Sequence, residues 1–81
     1  MATNEFKYEI INELGVISGE SSGWRKEVNR ISWNGGEPKY DIRQWGPNHE
    51  KMGKGISLSE EEIRELAKIL NEEVKFLDSE N

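Results

Sequence analysis

The spacing of apolar residues changes at Ser59, and this change restricts the fold more than any other feature. Before Ser59, apolar residues recur at every second position in short runs, which is typical of strands with one buried face. Ser59 and Glu62 have the spacing of a capping box, which marks the start of a helix. We predict this helix over about residues 60–76, with one apolar stripe: Ile63, Leu66, Ala67, Leu70, Val74 and Leu77. Strands followed by one C-terminal helix predict an α+β fold.

Four segments before Ser59 have strand patterns, and we expect strands at about 5–17, 24–33, 38–45 and 54–58. Neighbouring apolar residues break the alternation in the first segment, which predicts a bulge near Ile11 or Gly15. Asn34-Gly35-Gly36 predicts a hairpin, because these residues tolerate positive φ. The prediction is a four-stranded antiparallel sheet followed by the helix. In the 24–33 segment neither face is cleanly apolar, so the pattern does not decide which face is buried.

Length and composition restrict the protein class. The chain has 81 residues and no cysteine, so we expect one small domain without disulfides. A domain of this size buries a modest share of its surface and gains stability from a partner. No apolar run has the length of a signal peptide or a membrane span. We therefore expect a soluble, cytoplasmic protein, with association with the nucleoid left open.

The charge is unevenly distributed along the chain. The net charge is −5, but residues 22–56 carry seven basic residues against four acidic ones, whereas residues 57–81 carry three against eight. Screening confines the field of a surface charge to roughly 8–10 Å at physiological salt. The middle of the chain can therefore attract phosphate although the whole protein is acidic.

The segment Lys39–Trp45 alternates charged and apolar residues, which predicts a strand with one apolar face. The other face would carry Lys39, Asp41 and Arg43 and end in Trp45. Basic groups interleaved with aromatic rings on a sheet are what binding of single-stranded nucleic acid requires. The alternative is an ordinary amphipathic strand with a solvated polar face.

Three tryptophans are many for so polar a chain. Trp33 and Trp45 both end predicted strands beside turns, where their rings could project and stack on bases. The alternative is that they anchor the core, as Trp often does in small domains. For Trp24 we expect packing.

We find no pattern of catalytic or metal-ligating residues. His49 is the only histidine, and we expect it to be solvated in a Gly-Pro-Asn loop. The glycines around Lys54 lack the spacing of a phosphate-binding loop. We therefore expect no enzyme, no metal and no cofactor.

The segments K-Y-D-I-R-Q-W (39–45), G-P-N-H-E-K-M-G (46–53) and K-G-I-S-L (54–58), with the acidic-capped helix after them, resemble the positive cofactor four family of transcriptional coactivators. S-W-N-G-G-E-P-K-Y-D-I-R resembles its bacterial YdbC-like branch in particular. The resemblance covers roughly residues 24–72. It implies a homodimer in which each subunit has a curved four-stranded antiparallel sheet followed by a helix. It also implies binding of single-stranded DNA on β-ridges.

The resemblance assigns residues to this function. By position, Arg43 matches a DNA-contacting arginine, and Trp33 and Trp45 match or neighbour stacking aromatics. Lys54 and Lys51 match phosphate-binding lysines, and Lys26 and Arg30 fall where the family's first hairpin strand contributes basic residues. Lys39 joins these candidates from its place on the charged face of its own strand. Gly36 and Glu37 stand where better-known members carry lysine, so we expect a thinner basic rim and weaker binding. Duplex DNA should bind weakly or not at all, because its bases are already stacked.

Two questions stay open from the residues alone. Ile69 and Phe76 lie beside the main helix stripe, which indicates either burial on a second side, for example by a partner subunit, or only a wider stripe. The aromatic face could also belong to a protein-interaction module that docks a peptide or a transcription factor. RNA is a further alternative to DNA, because stacking does not distinguish the sugars.

Overall fold

The computed structural model describes residues 7–80, which form one antiparallel sheet followed by one helix. The sheet has the strand order β1-β2-β3-β4. Its elements, with the short 3-10 turn Pro47–His49 before the last strand, are β1 (Tyr8–Gly19), β2 (Arg25–Trp33), β3 (Lys39–Trp45), β4 (Met52–Leu58) and α1 (Glu60–Ser79). The predicted α+β fold, four antiparallel strands and then a helix, is thus confirmed.

Strand and helix ends differ from the predicted ones by a few residues. β1 continues to Gly19, β4 begins already at Met52, and α1 extends to Ser79. Residues 5 and 6, where the first strand was expected to begin, lie outside the described residues. β4 begins early because Met52 pairs with Trp45 across a register shift. From the sequence pattern, Met52 was expected to lie in the loop before β4.

β1 departs from regular pairing three times, between Ile10 and Asn12, Glu13 and Gly15, and Val16 and Ser18. The predicted bulge near Ile11 or Gly15 is therefore present, and it is repeated along the strand. Each extra residue increases the local twist of a strand pair. The predicted hairpin at Asn34-Gly35 also forms, with φ of 51° and 75° at these two residues.

The two faces of the sheet have different surroundings. On the face we call the buried face, three residues of β2 and two of β3 are almost inaccessible: Glu27, Asn29, Ile31, Asp41 and Trp45. The opposite face, the helix-side face, carries Val28, Ile42 and Ile56 in register across three strands. Helix α1 lies on this side, where Ile56 and Leu58 form an apolar groove with Leu66 and Ile69.

Gly55 of the K-G-I-S-L segment is required by strand packing. It pairs with Arg43 in the register of β3 and β4. A side chain at position 55 would overlap Cβ of Arg43 and the carbonyl oxygen of Ile42. Glycine therefore lets β4 approach β3 closely enough for Ser57 to reach Asp41.

The helix is well capped but poorly covered. Ser59 and Glu62 form the predicted capping box, with hydrogen bonds of 3.1 and 2.9 Å. None of the helical residues Glu60–Ser79 is buried, and Ile69, Val74 and Phe76 are each more than half exposed. The radius of gyration is 15.3 Å, whereas a compact chain of this length would have about 12 Å. The helix therefore projects beyond the sheet that it is expected to cover.

Candidate nucleic-acid interface

Four side chains of the buried face form a closed ring of contacts. Arg43 donates two hydrogen bonds of 2.7 Å to the two carboxylate oxygens of Asp41. The Ser57 hydroxyl donates to Asp41 Oδ2 at 3.1 Å, and Trp33 Nε1 donates to Ser57 Oγ at 3.1 Å. The ring closes because the Arg43 guanidinium lies over the Trp33 indole, 4.8 Å from the ring centroid. We call Trp33, Asp41, Arg43 and Ser57 the indole network.

The indole of Trp33 belongs to a row of aromatic rings. Tyr8 of β1 lies opposite Trp33, with 5.8 Å between the ring centroids. Its ring also lies 5.5 Å from that of Trp45, which contacts the His49 ring edge-on at 5.0 Å. Trp45 is fully buried, while Tyr8 is 36% exposed and Trp33 is half-buried. Of the three rings Tyr8, Trp33 and Trp45, only those of Tyr8 and Trp33 are therefore accessible.

A second polar group on the same face is centred on Glu27. Arg25 donates to Glu27 Oε2 at 2.9 Å, Asn29 donates to Oε1 at 3.1 Å, and His49 Nε2 lies 2.8 Å from Oε1. Burial of the Glu27 carboxyl raises its pKa, but the hydrogen bonds from Asn29, His49 and Arg25, together with the charge of His49, outweigh this effect. The net result is a Glu27 pKa below its ordinary value of 4.5.

His49 is not the solvated loop histidine that was predicted. Its side chain is 26% exposed and contacts Glu27, because the 3-10 turn folds it back onto the sheet. The side chains of Glu13, Glu27 and His49 could together offer a cation three ligand atoms within 4.8 Å of one another. Arg25 already balances the charge of Glu27, so the ion pair accounts for this arrangement.

The expectation that Trp45 projects into solvent is wrong, since its relative exposure is 0%. The prediction that the charged face of β3 lies outside the core is also wrong for two of its members. Asp41 is fully buried, and the side chain of Arg43 is 14% exposed. These opposite charges lie two residues apart on one strand face and neutralise each other, so the face can be buried despite its charges. Trp24, by contrast, is half-buried and lies against Gly46 and Gly53, as expected.

The predicted basic residues are divided between the two sides of the sheet. Lys39 and Arg43 occupy the register of the buried face, whereas Lys26 and Arg30 alternate onto the helix-side face. Arg30 is half-buried, and the four lysines are exposed: Lys26, Lys39, Lys51 and Lys54. The sheet therefore does not gather all predicted phosphate contacts into one cluster with Trp33.

Sequence reasoning missed two residues beside Trp33. Tyr8 was interpreted only as part of an alternating strand. The exposed Lys7 precedes it and exchanges hydrogen bonds with Asn34 in the hairpin, at 3.0 and 2.8 Å. Both residues reach this place through the pairing of β1 with the end of β2. No local pattern could have indicated such a long-range pairing.

Comparisons with known proteins identify the family. Residues 21–69, more than half of the chain, match the family model described as Transcriptional Coactivator p15 (PC4). A protein of Treponema pallidum (strain Nichols), described as an uncharacterized protein, is 44% identical over 71 residues, which cover 88% of this chain and 84% of that relative. The matched region contains β2, β3, β4 and the first half of α1. The chain therefore belongs to the PC4 family, the family of the transcriptional coactivator p15.

Proposed function

We propose that this protein is a homodimer that binds single-stranded DNA with little sequence preference. The observation that supports this most is the pair of accessible aromatic side chains, Tyr8 and Trp33, on a sheet of a PC4-family chain. Bases of a single strand are free to stack on such rings, and stacking contributes about 1–3 kcal/mol per base. Duplex bases are already stacked, so duplex DNA should bind much less tightly.

Exposed lysines supply the phosphate contacts in this proposal. Lys51 and Lys54 flank the start of β4, and Lys39 begins β3. Lys7, beside the hairpin that carries Trp33, joins them. The helix carries seven acidic residues against three basic ones and would repel the DNA strand, so binding should be directed to the sheet and should weaken with salt. Lys26 and Arg30 add phosphate contacts where the DNA strand passes around the edge of the sheet.

The homodimer is supported by the uncovered apolar surface. From its middle onwards, α1 exposes large side chains that a single chain leaves in water: Ile69, Leu70, Val74, Phe76 and Leu77. The groove between β4 and α1 is apolar and open. A contiguous apolar surface of this kind marks an interaction site. A second copy of the chain would cover the exposed helix side chains and the groove. Of the two interpretations of Ile69 and Phe76, this arrangement agrees with burial of the helix on two sides.

The process served is transcription regulation or DNA maintenance in the cytoplasm, where single-stranded DNA is exposed transiently. The family match to a coactivator supports the first of these. We propose no catalytic step and no cofactor.

The proposal is tested by replacing Trp33 with Leu, which keeps an apolar side chain but removes the ring. We expect oligo-dT binding to weaken roughly 5- to 150-fold, the equivalent of about 1–3 kcal/mol. Trp24→Leu is the matched control, because it removes the same kind of ring from a site that packs against Gly46 and Gly53. Equal affinities of a folded Trp33→Leu variant and the wild type would remove Trp33 from the site.

A further inference from the structure

We infer that Asp41, Arg43 and Ser57 act as positioning residues that hold the Trp33 indole ready for a base, and that Arg43 is not a phosphate contact. This inference rests on the proposed function. It concerns how the stacking surface is built, and it gives the D-I-R and K-G-I-S-L segments one shared role.

The charge of Arg43 is already engaged inside the protein. Its guanidinium forms the two 2.7 Å hydrogen bonds with Asp41 and a 3.3 Å bond to the carbonyl oxygen of Gly53. Asp41 is fully buried and Arg43 nearly so. Nη1 also lies 3.6 Å from Met52 Sδ, so four of the five guanidinium N–H groups are used inside the protein. A phosphate held by two N–H groups would have to break one of these contacts. The exposed Lys54 has no such obstacle among the described residues.

Two members of the indole network, Ser57 and Arg43, contact Trp33 directly. Ser57 Oγ accepts a hydrogen bond from the indole N–H, and its hydroxyl donates one to Asp41, so the hydroxyl can serve both neighbours only in one orientation. The guanidinium carbon of Arg43 lies over the ring, 4.8 Å from its centroid. Together these contacts fix the position of the ring before any ligand arrives. A ring ordered in advance loses less conformational entropy on binding, which increases affinity without a new contact to the ligand.

The first test is Ser57→Ala, which removes one hydroxyl and no charge. In protein labelled with ¹⁵N, the indole N–H resonance of Trp33, assigned through Trp33→Leu, should shift and broaden. Affinity for oligo-dT should fall about 3- to 10-fold. Ser57→Thr, which keeps the hydroxyl, should restore both, and Ser22→Ala in the β1–β2 turn is the control.

The second test separates positioning from phosphate contact. The double variant Asp41→Asn with Arg43→Gln removes one charge of each sign, and it is compared with Lys54→Gln. A lost phosphate contact reduces the slope of log affinity against log salt by about 0.7 for single strands. For Lys54→Gln we expect this reduction of the slope, and we expect the Trp33 indole resonance to keep its position. For the double variant we expect weaker binding with an unchanged slope and a moved resonance.

The outcomes distinguish this inference from the proposed function. A Trp33 resonance that does not respond to Ser57→Ala, or a Ser57→Ala variant that binds oligo-dT as tightly as the wild type, overturns the positioning role alone. A reduced salt slope in the double variant makes Arg43 a phosphate contact and also overturns it. A wild-type protein that does not bind oligo-dT overturns the proposed function and this inference together.

Discussion

The buried face of the sheet and the outer surface of the helix reverse the usual distribution of polar and apolar residues. Asp41 and Glu27 are 0% and 2% exposed, whereas Ile69 and Phe76 are 62% and 56% exposed. The buried carboxylates have their partners within the chain, in Arg43 for one and in Arg25, Asn29 and His49 for the other. The apolar helix surface has no comparable cover from residues 7–80.

This difference shows which surface needs another molecule. Buried charge is tolerated where ion pairs and hydrogen bonds replace the lost water. Exposed apolar surface gains free energy only by leaving water. The buried charges of the sheet are therefore compensated within the chain, while the exposed apolar side chains of the helix gain from a second copy.

The largest expected effect comes from removing one partner of the buried ion pair between Asp41 and Arg43. Asp41→Ala leaves the Arg43 guanidinium nearly buried without its carboxylate, and we expect a loss of about 3–5 kcal/mol in the free energy of unfolding. Urea unfolding at fixed protein concentration measures this loss. Glu72→Ala removes one partner of the exposed pair with Lys75 and should cost at most about 0.5 kcal/mol. Similar losses for both variants would contradict the contrast between buried and exposed charge.

The next effect concerns the helix surface. Phe76→Glu places a charge where two copies are proposed to meet, and we expect the dissociation constant of the dimer to rise at least about 100-fold, or about 2.7 kcal/mol. Sedimentation at micromolar concentration should then report one chain instead of two. Lys75→Glu changes a neighbouring, exposed side chain and should leave the dimer intact. A wild-type protein that sediments as one chain would contradict the dimer itself.

A smaller effect is expected in the pH dependence of stability. The pKa of Glu27 is lower in the folded chain than its ordinary value of 4.5, so the unfolded chain takes up the proton first as the pH falls. The stabilisation by ionised Glu27 is therefore fully present above this value and is lost as the pH falls through the folded pKa. Glu27→Gln should flatten the decline of the unfolding free energy below about pH 4.5. If the unfolding free energies of variant and wild type declined in parallel with falling pH, Glu27 would not contribute to the pH dependence of stability.

Local patterns in the sequence predicted most of the fold. The capping box at Ser59, the Asn34-Gly35 hairpin and the alternation in β3 depend on residues close in the chain, and all appear in the structure. The first bulge in β1 was visible for the same reason. The pattern in β2 did not decide its buried side, because Glu27 and Asn29 are buried polar residues.

The candidate site was predicted less well, because its environment depends on pairing across strands. Alternation placed Asp41, Arg43 and Trp45 on one face correctly, but it could not indicate that His49 and Tyr8 cover that face. Trp45 was therefore expected at the surface and lies in the core. Tyr8 became a candidate only through its pairing with Trp33.

The most direct test of single-strand binding is a tryptophan-fluorescence titration of the wild-type protein with oligo-dT and with a duplex of equal length, at low and moderate salt. The account predicts quenching by oligo-dT that weakens with salt, and much weaker quenching by the duplex. No binding of oligo-dT, or equal binding of both ligands, would contradict the central claim.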